Sequence, residues 1–138
     1  MAVPVITRSF APEKIRPGDI WKVYLNASDP DGEMQTIVCT LEQPGVGVYP
    51  AAFTRVPASA RQKLSGYIYL NTVWANGLTG TTLGMTIQIR DKKGNYSATL
   101  FFSLTFDQRS HPEDPPAGVF QECDLGPIMI TLTSASSC

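Results

Sequence analysis

Apolar and polar side chains alternate strictly along most of this chain, and that period of two constrains the fold more than any other feature. Residues 21–26, 37–41 and 85–90 each place an apolar side chain at every second position. Successive side chains of a β-strand point to opposite faces of a sheet, whereas an α-helix repeats about every 3.6 residues. The pattern therefore predicts half-buried strands, with Trp21, Val23 and Leu25 in the core.

The longest alternating run covers residues 98–106 and predicts a central strand. Further strands are predicted over 66–72 and over 48–56, the second at a sheet edge because of Pro50. Residues 10–19 are interrupted by prolines and indicate another edge strand with its turn, while 57–64 is the one short helix predicted. About seven strands follow between residues 5 and 106, a number typical of a sandwich.

Turn sequences separate these runs at regular positions. Residues 29–32, 43–45 and 91–95 combine Asp, Asn, Pro and Gly, and the chain has 11 Gly and 11 Pro in all. Short strands with frequent turns and almost no helix predict an all-β fold, specifically an immunoglobulin-like antiparallel two-sheet sandwich. A chain of 138 residues is long enough for one such core.

The composition changes after Phe106, which divides the chain into a predicted sandwich over 1–106 and a tail over 107–138. The tail begins with a Pro-rich polar linker and ends in a strand-like pattern over 127–133. Such a strand must pair with an exposed edge of its own sandwich or of a neighbour. A homo-oligomer joined through residues 127–133 is therefore one expectation.

Charge and motifs exclude several classes of function. The chain carries 11 Lys+Arg against 12 Asp+Glu and has no basic cluster, so no nucleic-acid partner is predicted. No apolar run reaches the roughly 20 residues of a membrane span. The single histidine, His111, lies beside Pro112 in the linker, and no nucleotide-binding glycine loop is present, so no catalytic residue and no enzyme activity are predicted.

Residues 12–106 resemble a bacterial immunoglobulin-like domain of the fibronectin type III, PKD and cadherin-like kind. The resemblance depends on Pro17-Gly18-Asp19, on Ser28-Asp29-Pro30-Asp31-Gly32 and on the hairpin sequence over 89–97. It implies a non-catalytic binding or assembly module of an exported, periplasmic or cell-envelope protein, with a protein or carbohydrate as ligand. A structural role in an oligomer is the alternative.

Acidic side chains in two of the predicted loops fit two interpretations. The loop after the second strand and the last hairpin emerge at the same end of an immunoglobulin-type sandwich. That placement would gather Asp29, Asp31, Glu33, Asp91 and Asn95, whose oxygens suit calcium, the one ion predicted for this chain. The same residues also suit ordinary turns, with surface ion pairs from Arg61 and Lys63 neutralising the acids.

Aromatic residues and cysteines give the remaining candidates. Trp74 and Tyr49 lie in or near loops and are the predicted ligand-binding rings. Cys39 belongs to an apolar strand pattern, which predicts a buried free thiol. Cys123 and Cys138 are the preferred disulfide pair in an oxidising compartment, and three reduced thiols are the alternative.

Overall fold

The computed structural model describes residues 3–16, 19–43, 47–49, 51–71, 82–107, 109, 115–121 and 124–128. This part of the chain is nearly all β. Its strands are β1 (Val5–Phe10), β2 (Lys14–Ile15), β3 (Ile20–Ser28), β4 (Met34–Gln43), β5 (Gly47–Val48), β6 (Ala52–Arg55), β7 (Lys63–Asn71), β8 (Thr82–Asp91), β9 (Leu100–Phe106) and β10 (Asp124–Pro127). One turn of 3-10 helix spans Ala58–Ala60. None of the helical structure in these ranges is long enough to cross a membrane.

The strands form two sheets, which confirms the prediction of an all-β, two-sheet architecture. Sheet 1 has the order β1-β3-β7-β10, and sheet 2 has the order β2-β9-β8-β4-β5, with β6 also paired to β4. The prediction that the sheets are antiparallel is wrong at two pairings, because β10 runs parallel to β7 and β2 runs parallel to β9. Both sheets are therefore mixed. The other pairings of named strands are antiparallel.

One hydrophobic core collects the inner faces of both sheets. Trp21, Val23 and Leu25 from β3 are fully buried there, as the alternation predicts. Sheet 2 contributes Ile37, Cys39, Leu41, Met85, Ile87 and Ile89, all of them predicted core positions. Burial of this much apolar surface is the main favourable contribution to folding.

Pro12 turns the N-terminal segment from one sheet to the other. β1 pairs with β3 in sheet 1. After three intervening residues, β2 begins and pairs with β9 in sheet 2. The buried indole Nε1 of Trp21 donates to the carbonyl of Pro12 at 2.8 Å. Because proline has no N–H and the carbonyl of Pro12 accepts from Trp21, Pro12 does not continue the backbone hydrogen bonding of either sheet.

Three local predictions are correct only in part. The helix predicted within 57–64, of one or two turns at most, is a single 3-10 turn over Ala58–Ala60, because β7 starts at Lys63 and pairs with Ser28. The predicted strand over 48–56 is two short strands, β5 and β6, both at an edge on β4. The predicted central strand, β9, lies next to the edge, since β2 covers it only at Thr105 and Phe106.

The outer face of sheet 1 also departs from the alternation. Tyr24 was expected on the solvent side of β3, opposite Val23 and Leu25, yet only 4% of its surface is exposed. Residues 115–121 return over this face, and they are followed by β10 on the free edge of β7. The C-terminal strand thus begins at Asp124 rather than at 127, and residues 129–133 of the predicted strand lie outside the described residues.

Candidate functional site: a groove beneath the C-terminal arm

The C-terminal arm, residues 115–121 and 124–128, is fixed to sheet 1 by aromatic packing. The ring of Phe120 lies 5.6 Å from that of Tyr24, and Tyr24 lies 5.4 Å from Tyr67. Phe10 and Tyr69 extend the same cluster at 6.5 and 6.4 Å. Tilted aromatic pairs at these separations add to the stability gained from burial alone. The arm is therefore a covering layer on sheet 1.

A chain of polar contacts fixes the position of the arm along the strands. Asn26 Nδ2 donates to the carbonyl of Val119 at 2.7 Å, and Ser65 Oγ donates to Asn26 Oδ1 at 2.7 Å. The backbone N–H of Gln121 in turn donates to Ser65 Oγ at 3.0 Å. Asn26 and Ser65 face each other across β3 and β7. These two side chains hold a segment more than fifty residues away in sequence.

Between the arm and the end of sheet 1 lies a groove of about 740 Å³. Its polar lining is mostly uncharged: Thr7, Asn26, Ser28, Gln62, Ser65 and Gln121. Asp29 and Lys63 are the charged lining residues, and Phe120 contributes an aromatic ring. Pockets of this size, with a few polar groups that converge, are typical of small-ligand sites.

The turn after β3 forms one end of this arm groove. The Asp29 backbone N–H donates to Gln62 O at 2.9 Å, and Asp29 Oδ1 accepts from the N–H of Asp31 at 3.0 Å. Gly32 closes the turn in the left-handed region, at φ 67°. Asp29 is fully buried, and its Oδ2 has no hydrogen-bond partner within the described residues. Asp29 thus acts as a turn residue through one oxygen only.

Asp91 organises the hairpin after β8. Its Oδ1 accepts the backbone N–H groups of Lys93 and Asn95 at 2.9 and 2.8 Å, and its Oδ2 accepts from Asn95 Nδ2 at 3.2 Å. Burial by itself raises the pKa of the Asp91 carboxyl. The hydrogen bonds from Asn95 and Lys93, together with the charge of Lys93, outweigh burial and lower this pKa below its usual value.

The two predicted calcium loops do meet, through Glu33. The carbonyl of Glu33 accepts from Lys92 N–H at 3.0 Å, and its carboxylate lies 3.8 Å from Lys93 Nζ. Among the described residues, the ion pair at this end is thus made by Lys93, whereas Arg61 and Lys63 are the predicted cations. Nowhere in the described ranges do three or more His, Cys, Asp or Glu side chains form a group that could hold a metal. The calcium site stays a prediction.

Of the predicted ligand-binding rings and the cysteines, Tyr49 and Cys39 lie within the described residues. Tyr49 is half-buried, packs against the core and donates through its hydroxyl to Gln43 Oε1. Cys39 is a buried free thiol, as predicted, and burial raises its pKa to about 12. Trp74, Cys123 and Cys138 lie outside the described residues.

Comparisons of the chain with protein-family models, with curated proteins and with solved structures found no match.

Proposed function

We propose that the chain is a non-catalytic binding module on an immunoglobulin-like sandwich, and that the arm groove receives its ligand. The distribution of strands supports the sandwich type. β1, β3 and β7 share one sheet while β4, β8 and β9 share the other, as strands A, B and E and strands C, F and G do in immunoglobulin domains. As the family resemblance implies, the module belongs to an exported or cell-envelope protein.

The observation that carries the proposal is the chemistry of the groove walls. Amide and hydroxyl side chains make up most of the polar lining, beside apolar residues such as Leu64 and Phe120. Asp29 is too buried to present a charge to a ligand, and Lys63 is the exposed charged residue of the lining. Such walls suit a neutral ligand with many hydroxyl groups, because each of its groups can exchange hydrogen bonds with the protein without burying an unpaired charge. The ring of Phe120 adds an apolar surface on which a sugar can stack. A neutral oligosaccharide is the ligand class proposed.

Thermal unfolding in the presence of cello-, malto- and chito-oligosaccharides tests this proposal, because a ligand that binds only the folded state raises the Tm. Gln62 is exposed and lines the groove, so Gln62→Trp fills the groove without disturbing the core. Lys92→Trp, at an exposed hairpin position, is the matched control. One sugar class should raise the Tm of the wild type and of the control but not that of Gln62→Trp. No rise with any class, or an equal rise in all three proteins, contradicts the proposal.

The arm supports a second candidate, a structural oligomer. β10 adds to β7 from a segment that leaves the body of the sandwich at Asp107, and an exchanged arm would make the same contacts with a neighbouring copy. Truncation after Asp107 should then abolish a concentration-dependent mass. An unchanged mass distribution in the truncated chain contradicts this candidate.

Calcium has its own test. A calcium-dependent rise in Tm that excess chelator reverses would support the site predicted at Asp29, Asp31, Glu33, Asp91 and Asn95. Equal Tm values in calcium and in chelator would leave these residues as turn residues.

A further inference from the structure

The edge of β9 lacks a partner strand over residues 100–104 in the part of the chain that is described. β2 covers β9 only at Thr105 and Phe106, and β8 occupies the opposite edge. The reason lies at Pro12, whose carbonyl is held by Trp21 so that the preceding residues lead into sheet 1. The N-terminal segment therefore covers only the end of this edge.

The direction of the unpaired groups follows from the two bonds at the covered end. Thr105 N–H donates to Glu13 O at 2.8 Å and Asp107 N–H donates to Ile15 O at 2.9 Å, so odd-numbered residues of this strand face the edge. The N–H and C=O of one residue point to the same side of a strand, and the side alternates along the chain. Phe101 and Ser103 thus present their backbone groups outward, as a template for another strand.

The other edges of the two sheets carry features that hinder strand addition. β1 has a register shift beside Arg8, and β10 has one beside Gly126 and Pro127. β6 has four residues and ends in Arg55, and β5 has two residues. Bulges, charges, prolines and short strands are the usual protections of an edge. Residues 100–104 of β9 contain no proline and no charged side chain, and they belong to a strand of seven residues.

This open segment has a defined length and centre. Arg90 bridges Tyr96 and Ile87 pairs with Leu100, so the segment leading into β9 carries one more residue than β8 between these points, and the regular ladder with β8 begins at Leu100. The open segment therefore starts at Leu100, and β2 blocks its other end at Thr105. Phe102 lies in the middle of the five residues that remain.

We propose that this edge pairs antiparallel with the same edge of a second copy, with the two-fold axis at Phe102. Phe101 of each copy then lies opposite Ser103 of the other, and each of these pairs exchanges two backbone hydrogen bonds. All the outward backbone N–H and C=O groups of Phe101 and Ser103 are then hydrogen-bonded. Both copies contribute the same segment, as an isologous interface requires. Since residues 100–104 are uncharged, no like charges oppose each other across the axis.

The surroundings of the edge leave space for the incoming strand. A groove of about 520 Å³ lies beside it, lined by Ser9, Phe10, Ala11, Glu13 and residues 101–103. Phe101 is 66% exposed, and its ring lies close to Gly84 of β8, where an added Cβ would approach it to 3.2 Å. The ring thus leans towards β8, away from the open edge. The interface is separate from the arm groove and does not require the ligand.

Sedimentation equilibrium over a range of concentrations tests the proposal, with two matched pairs of variants. Ser103→Pro removes an outward N–H and no bond to β8, whereas Ser103→Ala retains that N–H. Phe101→Lys places a charge at the edge, whereas Phe53→Lys places it on the same sheet at a residue that is 58% exposed but lies away from the β9 edge. Thermal unfolding of every variant verifies the fold.

The wild type, Ser103→Ala and Phe53→Lys should form dimers, while Ser103→Pro and Phe101→Lys should dimerise about tenfold more weakly or worse. A dimer made by arm exchange would instead be unaffected by Ser103→Pro and Phe101→Lys, because both residues lie on sheet 2 whereas the arm pairs with β7 of sheet 1. Amide hydrogen exchange of the wild type needs no substitution, and it should slow at Phe101 and Ser103 as concentration rises. A monomer at all concentrations, or equal weakening by Phe53→Lys and Phe101→Lys, overturns the proposal.

Discussion

The outer face of sheet 1 is covered by the arm and the outer face of sheet 2 is exposed, although the two inner faces share one core. On sheet 1 the arm buries Tyr24 to 4% exposure. On sheet 2, Phe53 and Phe101 remain 58% and 66% exposed. The covering is supplied by a segment remote in sequence, and the tyrosines of sheet 1 provide the aromatic face that it covers. Local alternation thus decides which side chains can face the core, while a remote segment decides whether the other face meets water.

Sheet 2 tolerates its exposure because its outer face is mostly polar. Thr40 of β4 pairs with Thr86 of β8, and Thr86 pairs with Phe101 of β9. Threonine suits a half-exposed strand, since it is β-branched and its hydroxyl can bond to water. The outer face of sheet 1 instead has Tyr24, Tyr67 and Tyr69, which need a covering layer.

The largest effect is expected in the core beneath both faces. Trp21 is fully buried and bonded to Pro12, so Trp21→Ala should lower the free energy of unfolding by about 3–5 kcal/mol. Trp21→Phe keeps most of the packing and loses the hydrogen bond, at a cost of about 1–3 kcal/mol. Urea unfolding measures both. A loss below about 1 kcal/mol for Trp21→Ala would mean that Trp21 does not face the core and that the inner and outer positions of β3 are assigned wrongly.

A pair of aromatic truncations tests the comparison directly. Tyr24→Ala should destabilise by about 2–4 kcal/mol because it opens a cavity under the arm. Phe101→Ala should cost less than about 1 kcal/mol in the monomer, since most of that ring already meets water. Urea unfolding at low concentration gives both values. Equal costs for the two substitutions would remove the distinction between the faces.

The loss of a polar contact should also destabilise the protein more on the outer face of sheet 1 than on the outer face of sheet 2. Asn26→Ala breaks the bonds to Val119 and Ser65, both 2.7 Å long, and should cost about 1–3 kcal/mol. The matched substitution on sheet 2 is Gln88→Ala, which loses one bond of 3.3 Å to Ser97 and should cost about 0.5 kcal/mol. Chemical denaturation of the two variants measures these costs. A larger cost for Gln88→Ala would contradict the assigned role of the arm contacts.

The remaining effect depends on pH and concerns Cys39, on the inner face of the uncovered sheet. The pKa of this thiol rises from 9.0 to about 12 on burial, so the unfolded chain ionises first and stability is lost as pH rises from 9.0 towards 12. The loss due to this group should be about 1 kcal/mol at pH 10. Urea unfolding of the wild type and of Cys39→Ala between pH 8 and 10 isolates it. Parallel pH profiles would show that water reaches Cys39 through sheet 2.

The sequence is sufficient to predict the inner faces because burial there depends on alternation within each strand. Val23, Ile37 and Ile87 are examples, and all three are fully buried as predicted. The turns at Asp29 and Asp91 were also predictable, since Asp side chains bond to the backbone of their own turns.

The arm groove could not be predicted in the same way. Asn26 and Ser65 are ordinary polar residues of two strands, and nothing local in their sequence indicates a bond to Val119 or Gln121. One signal was present, because Tyr24 lies on the predicted solvent side of its strand, and Tyr67 and Tyr69 alternate on one face of another predicted strand. Three large rings on one open face indicate a covering layer.

Residue-resolved amide hydrogen exchange of the dilute protein tests the central claim, which is that the arm covers sheet 1 while the β9 edge of sheet 2 stays open. Gln121 N–H bonds to Ser65 and Ile128 N–H bonds to Tyr69, so both should be protected. The amides of Phe101 and Ser103 should exchange fast in the monomer. Fast exchange at Gln121 and Ile128, or protection of Phe101 and Ser103 in the monomer, would contradict the account.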